Sequence, residues 1–486
     1  MNNLEASAAS LSGTPALPTE ILSKVFLHCT DIDGSLTPAN TIHVPLLLTK
    51  VCRSWRTIAI GTRFLWSRLY LSITPNATYQ TALVSTWLAR SGACPLKIYI
   101  MWNDPPFFMS HPVLDILVQH SHHWHSMYFF LPNTAYRSLS PIQGNLPLLA
   151  ELSLGTHEPP PLTDAVIDAF STAPNLRSLE CVNLHPYTFS FPWAHLSHIP
   201  IMTVTVDDAL DILRRAPRLA SGSFICSDAN DRDLVPARPP LPLRHIHLLD
   251  LAVLAPEWNT SVQARALFTC LTAPHLHSLR ICNVTWPFGA SLLPFLARVD
   301  ALESLYLRKT ALAEGDVLAV LELLPALKHL AVLSSSMFTM ASDVLLERLT
   351  WRPPCLCPRT SSPVKKQTRK KLLAPRLETL EITLPDALNL AFVELLESRW
   401  SDSDAAGPGE EDGEEEGKEE GGDDGCTVPT RLRRVEVGAN DEYDEEIMRR
   451  LEVLAQAGMT IIIGSTDVPL EDGLEYMSAR YNKHRR

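Results

Sequence analysis

The apolar residues of this chain follow two rhythms. Between residues 17 and 61 the steps are helical: Leu17, Ile21, Leu22, Val25, Phe26 and Cys29 fall on one broad face, while Val44, Leu48, Val51, Trp55 and Ile58 alternate steps of four and three. The spacing predicts two helices. Pro18 suits the first turn, where a missing N–H is harmless, and Glu20 sits near the positive helix end. Lys50, Arg53, Arg56 and Thr57 fill the polar face of the second helix, and Gly61 is its expected C-terminal cap. Leu47, Cys52 and Ala59 widen the apolar stripe until little polar circumference remains. So wide a stripe calls for two packing partners, one inside the module and one outside. A stretch as short as 17–71 buries only ~60% of its unfolded surface, so the remainder is expected to face a partner.

From residue 147 the rhythm is different: a proline, a leucine two later, then apolar residues at five and seven. It reads Pro147-Leu149-Leu152-Leu154, Pro174-Leu176-Leu179-Cys181, Pro274-Leu276-Leu279-Ile281, Pro325-Leu327-Leu330-Val332 and Pro375-Leu377-Leu380-Ile382. Looser copies are Leu219-Phe224, Leu243-Ile246-Leu248, Leu302-Leu305-Leu307 and Leu432-Val435-Val437. The anchor leucines lie 24–55 residues apart, and four of the eight gaps fall between 24 and 27. This is the signature of leucine-rich repeats. The last two apolar positions form a short strand of period two, and helices are expected over Thr163–Ala173, Val206–Ala216, Val262–Thr272 and Gly315–Leu324. No unit can bury its leucines alone, so neighbours must stack into a curved solenoid. Trp87–Gly92 followed by Pro95–Ile100, and Leu114–His125 followed by a strand to Phe130, read as early, atypical units.

Composition changes the picture in two places. Of the net charge of −12, the segment Ser401–Gly425 supplies twelve acidic residues against one lysine, so the remaining residues sum to about −1. A nearly neutral body gives no support for nucleic-acid binding. The acidic segment has no aromatic residue and is expected to be disordered. The second place is Trp351–Ala374, where five basic residues occupy the seven positions 365–371, a candidate import or phosphate-binding patch or a solvated loop. With 486 residues and 46% apolar content, the chain has room for two to four domains, or for one small domain and an extended array. No run approaches 18 apolar residues and the start lacks a signal pattern, so no membrane span or secretory leader is expected. The ten cysteines, scattered singly apart from Cys355 and Cys357, read as reduced thiols.

The N-terminal residues resemble the F-box, a three-helix module that docks substrate receptors onto the Skp-type adaptor of cullin-based ubiquitin ligases. The resemblance is carried by Leu17-Pro18-Thr19-Glu20-Ile21-Leu22, by Leu48-Thr49-Lys50-Val51-Cys52-Arg53-Ser54-Trp55 and by Phe64-Leu65-Trp66. Phe64 replaces the usual proline, and the stretch Asp31–His43 is longer than in compact members. The irregular repeats, with most post-strand asparagines absent, are similar to those attached to F-boxes in mushroom-forming fungi. The resemblance implies an α+β or α/β chain: a tail 1–14, an F-box 15–71, a capping region 72–140, a leucine-rich-repeat solenoid 141–470 with inserts 352–374 and 401–425, and a tail 471–486. It further implies a non-catalytic substrate-recognition subunit in the cytoplasm or nucleus. The implied partners are a Skp-type adaptor, through it a cullin, and an unidentified protein substrate, without nucleic acid or membrane. Adaptor contact falls to Leu17, Pro18, Ile21, Leu22, Val51, Cys52 and Trp55. The alternative is an adaptor or scaffold without a degradation role.

Candidate chemistry is sparse. His120, His122, His123 and His125 are the densest histidine group, but no cysteine or carboxylate stands at ligand spacing, and His122 and His123 are expected to point apart on a helix. Cys355-x-Cys357 lacks the second pair a zinc site needs, and phosphate-loop and nucleophile-elbow motifs are absent. Cys52 falls inside the apolar stripe and is expected to pack there. Neither a catalytic group, nor a metal, nor a cofactor is expected.

Overall fold

The computed structural model describes residues 17–29, 43–74, 77–102, 111–158, 166–227, 240–254, 267–284, 288–333, 342–352, 372–385, 387–400, 429–439 and 444–465. The basic segment, the Cys355/Cys357 pair, the acidic segment and both tails lie outside these residues. The chain divides into two compact units at Thr203/Val204. Both are mixed α/β with parallel strands. Among the described residues no helix is long and apolar enough to cross a membrane.

The first unit begins with three helices, α1 (Thr19–His28), α2 (His43–Val51) and α3 (Arg53–Gly61), and a 3-10 turn over Arg63–Trp66. Strand β1 (Arg68–Ser72) follows directly. Then come α4 (Ala77–Ser91), β2 (Leu96–Met101), α5 (Pro112–Gln119), β3 (Trp124–Phe130), β4 (Glu151–Gly155), β5 (Ser178–Val182) and β6 (His198–Val204). The strands pair in parallel and in chain order. Their register aligns Leu69, Ile98, Met127, Leu152 and Leu179 in one column and Leu71, Ile100, Phe129, Leu154 and Cys181 in the next. All ten are buried, so these columns are the core. Cys181 packs there as an apolar group, and burial pushes its thiol well above the usual range.

The second unit repeats the device with β7 (Ser221–Ser227), β9 (Leu248–Leu254), β11 (Ser278–Cys282), β12 (Ser304–Arg308), β13 (His329–Leu333), β14 (Thr379–Thr383), β15 (Arg434–Ala439) and β16 (Thr460–Ser465). A separate parallel pair joins β8 (Leu241–Pro242) to β10 (Leu271–Thr272). One inward column runs Gly222, Leu249, Leu279, Leu305, Leu330, Leu380 and Val435; the other runs Phe224, Leu251, Ile281, Leu307, Val332, Ile382 and Val437. At Gly222 the ring of Phe224 fills the space, its Cε2 only 2.8 Å from where a Cβ would lie. The chain leaves three strands in the left-handed region, at Asn183, Asn283 and Lys309, each two residues past the second inward residue of its strand and one short of the position where the repeat pattern calls for asparagine.

Several expectations are corrected. Leucine anchors were missed at Leu196, which leads through buried Ile199 into β6, and misplaced by three residues at Leu243: the residue ahead of Leu249 and Leu251 is Ile246. A register irregularity between β5 and β6 spaces the inward residues Ile199 and Met202 three apart, which hides the motif. Over the described part of Thr163–Ala173 there is no helix. The Ile167 N–H donates to the Thr188 carbonyl at 2.8 Å and the Ile167 carbonyl accepts from Ser190 at 3.0 Å, so the backbone is committed to a bridge. Leu271–Thr272, the expected end of another helix, is strand β10. Helices over Val206–Arg215 and Glu314–Leu323 agree with the expected ones.

Candidate functional site

The α1–α3 region has an incomplete inside. Phe26, Leu48, Ile58, Ala59, Leu65 and Trp66 are buried, with the Trp66 indole donating to the Ala59 carbonyl at 2.8 Å. Trp66 meets Trp87 of α4 edge-on at 4.8 Å, which ties the turn after α3 to the sheet-bearing part of the same unit. That small core uses up only one side of each helix. Leu17 (54% exposed), Leu47 (62%), Val51 (55%) and Phe64 (59%) remain in solvent, as do Ile21, Val25 and Ile60. These seven are nearly half of the fifteen large exposed apolar side chains among the described residues, in a short fraction of the chain. Apolar surface gathered this way marks an interaction surface.

The second predicted helix is in fact two. Cys52 is extended (φ −157°, ψ 173°) and its Sγ accepts the Trp55 N–H at 3.4 Å, the proton a continuous helix would give to the Val51 carbonyl. Cys52 is therefore an exposed cap of α3, not a packed residue of the stripe. The break leaves Val51 at the end of α2.

Of the seven residues predicted to form the docking surface, Leu17, Pro18, Ile21, Val51 and Cys52 are exposed and Leu22 is half-buried. Trp55 is also half-buried, because its ring lies 4.9 Å from Phe26 and is partly spent on the module's own core. The predicted contact set left out Val25, Leu47, Ile60 and Phe64, which the structure leaves exposed.

Sequence reasoning also missed the outer face of the first sheet. Tyr70, Tyr99 and Tyr128 stand in register on β1, β2 and β3. Their rings stack, Tyr99 against Tyr128 at 4.0 Å and 9° and Tyr70 against Tyr99 at 6.3 Å. The Tyr128 hydroxyl donates to Glu151 Oε2 at 3.1 Å, and burial together with Tyr99 holds its phenol above the usual range. A signal was available: positions 70, 99 and 128 are 29 residues apart, the period of a repeat.

The histidines stay without a chemical role. His122 and His123 do not point apart; they occupy a 3-10 turn with ring centroids 4.0 Å apart. Burial, then the neighbouring imidazoles, lower His120 and His123 below the ordinary histidine range. Among the described residues no group of three or more His, Cys, Asp or Glu side chains is placed to hold a metal.

Residues 14–72 match the F-box-like family model, so the α1–α3 region and β1 form an F-box-like domain. F-box domains typically bind Skp-type adaptors. No curated protein matches the chain.

Proposed function

We propose that this protein is a substrate-recognition subunit of an SCF-type ubiquitin ligase. The F-box-like domain grips a Skp-type adaptor, and through it a cullin. The observation that carries this reading is the surplus of exposed apolar side chains on α1, just ahead of it and on α2, led by Leu17, Ile21 and Val51, within the segment that matches the F-box-like model. Pro18, Leu22, Cys52 and the solvent side of Trp55 complete the contact.

The parallel sheets are leucine-rich repeats, of the irregular type found beside F-boxes in fungi, and present a protein substrate on their outer faces. The in-register leucine columns and the left-handed strand exits at Asn183 and Asn283 support that reading. The chain performs no chemistry itself. It works by proximity, raising the effective concentration of substrate lysines near the ubiquitin-carrying enzyme, in the cytoplasm or nucleus.

The test is co-purification with a Skp-type adaptor and a cullin. A Leu17→Ala/Val51→Ala double variant is expected to bind the adaptor at least about 30-fold more weakly, as for loss of buried apolar anchors. Its unfolding midpoint should stay put, since neither side chain belongs to the core. Undiminished adaptor binding would move the interface elsewhere.

A further inference from the structure

The parallel strands of the second unit end on β16, which pairs with β15 along its whole length and with no other strand among the described residues. The Thr460 N–H donates to the Arg433 carbonyl at 2.9 Å. Backbone groups alternate sides along a strand, so Ile461 and Ile463 turn their N–H and C=O to the open edge. The inward columns end here as well: Ile461 lies in register with Val435, and Ile463 with Val437. Both valines are fully buried, whereas both isoleucines are half-exposed. The first strand of the first unit behaves differently, with Leu69 and Leu71 buried at the start of their columns.

Sheet edges are normally defended by a charge, a proline or a bulge. The strand Thr460-Ile461-Ile462-Ile463-Gly464-Ser465 carries none of these: it has no ionisable residue and no proline, and its register with β15 runs without a break. Three consecutive isoleucines give it high strand propensity. Ile462 stands on the outer face, in register with Glu436, and is 38% exposed. A bare edge, two half-covered core positions and an exposed isoleucine between them ask for one more strand. That strand must be apolar at two inward positions, apolar at the outward position between them, and uncharged. The sequence of β16 itself meets this description.

We propose that β16 pairs with β16 of a second copy of this chain, antiparallel about a two-fold axis at Ile462. This register sets Ile461 opposite Ile463 of the second copy, and these are the residues whose backbone groups face the edge. Each such pair exchanges both N–H···O bonds, while Ile462 meets its own counterpart as a non-hydrogen-bonded pair with Cα atoms about 4.5 Å apart. Opposed side chains in antiparallel strands share a face, so the inward columns run on from one copy into the next. Ile461 and Ile463 then gain the cover that Val435 and Val437 already have. A slip of one residue would set inward Ile461 against outward Ile462 and lose the match. A contact of this size makes a weak, concentration-dependent dimer, closed by its symmetry. The inference goes beyond the ligase reading and does not rest on it.

The test is sedimentation equilibrium of the full chain at concentrations up to about 100 μM, where a weak dimer is populated. A concentration-dependent shift from monomer to dimer is expected. Ile462→Lys brings two ammonium groups together at the axis and should weaken the dimer at least about 10-fold, as should Ile462→Glu with its two carboxylates. Both variants should keep the melting temperature of the dilute wild-type chain, because the side chain is exposed. Since position 462 meets itself, an equimolar mixture of the two variants should regain the dimer that each alone has lost. A full chain that stays monomeric throughout, a dimer indifferent to Ile462→Lys, or a mixture that does not associate overturns the proposal. Association that appears only after removal of residues 466–486 also overturns it, and gives the edge to that segment of the chain.

Discussion

The helices α1–α3 and the inward columns of the sheets draw on the same apolar residue types and treat them in opposite ways. In the columns every strand adds two side chains to a face already lined by its neighbours, so Leu152, Leu154, Leu305 and Leu307 lose nearly all their exposure. The three helices have no such neighbour on one side. Their core closes around Phe26, Leu48 and Trp66 and leaves Leu17, Leu47 and Val51 out. Stacking satisfies apolar surface internally, whereas a small bundle exports it to a partner.

The contrast breaks most visibly at a column residue. Leu305→Ala should cost about 2–5 kcal/mol of stability, from lost transfer energy and an unfilled cavity. The solvent-exposed Leu17→Ala should stay within about 0.5 kcal/mol. Urea unfolding of the two variants measures the difference, and equal losses would mean that α1 buries Leu17 after all.

Next comes Arg399, a charged side chain in the second unit that behaves like a core residue. It is buried without a carboxylate partner among the described residues, and burial lowers it to about 10. Its guanidinium donates to the carbonyls of Leu349 (2.8 Å), Leu373 (2.8 Å) and Ala374 (3.1 Å), so one side chain closes the two ends of the 353–371 insert. Arg399→Leu would orphan three acceptors, and a loss of about 3 kcal/mol in a thermal melt is expected. A neutral result would show that the insert ends are held by other contacts.

The smallest effect tests the polar face of the second sheet. Asp250 is raised to about 6, chiefly by burial, and Arg280 Nε at 3.8 Å is too distant for a hydrogen bond. The folded protein therefore binds a proton more tightly here than the unfolded chain. Between about pH 4 and 6 this group's contribution to stability falls as pH rises, and above pH 6 it is a constant penalty. Asp250→Asn should raise the melting temperature at pH 7.5 and lose that advantage as the pH drops toward 4. A variant-to-wild-type difference that does not change with pH would refute the shift.

Much of this organisation is legible in the sequence. The pairs Leu152/Leu154 and Leu380/Ile382 are correctly read as inward strand residues, because period two and a preceding proline encode them locally. Ile246 was read at the wrong repeat position and Ile199 was missed for a physical reason: register depends on the neighbouring strand, and at β6 an irregularity shifts the spacing without altering propensity. Cys52 is the same lesson in a helix. The stripe Val44–Ile58 is periodic across a break, and nothing in the period marks the point where the sulfur replaces a backbone acceptor.

The sequence alone determined which residues are apolar, their two rhythms and the F-box-like segment, since these follow from order and spacing. Tertiary structure alone decided which apolar residues remain outside, how the tyrosines stack, and that the inward columns end half-exposed at Ile461 and Ile463. Exposure and stacking are properties of residues brought together by register and packing, and no local pattern contains them.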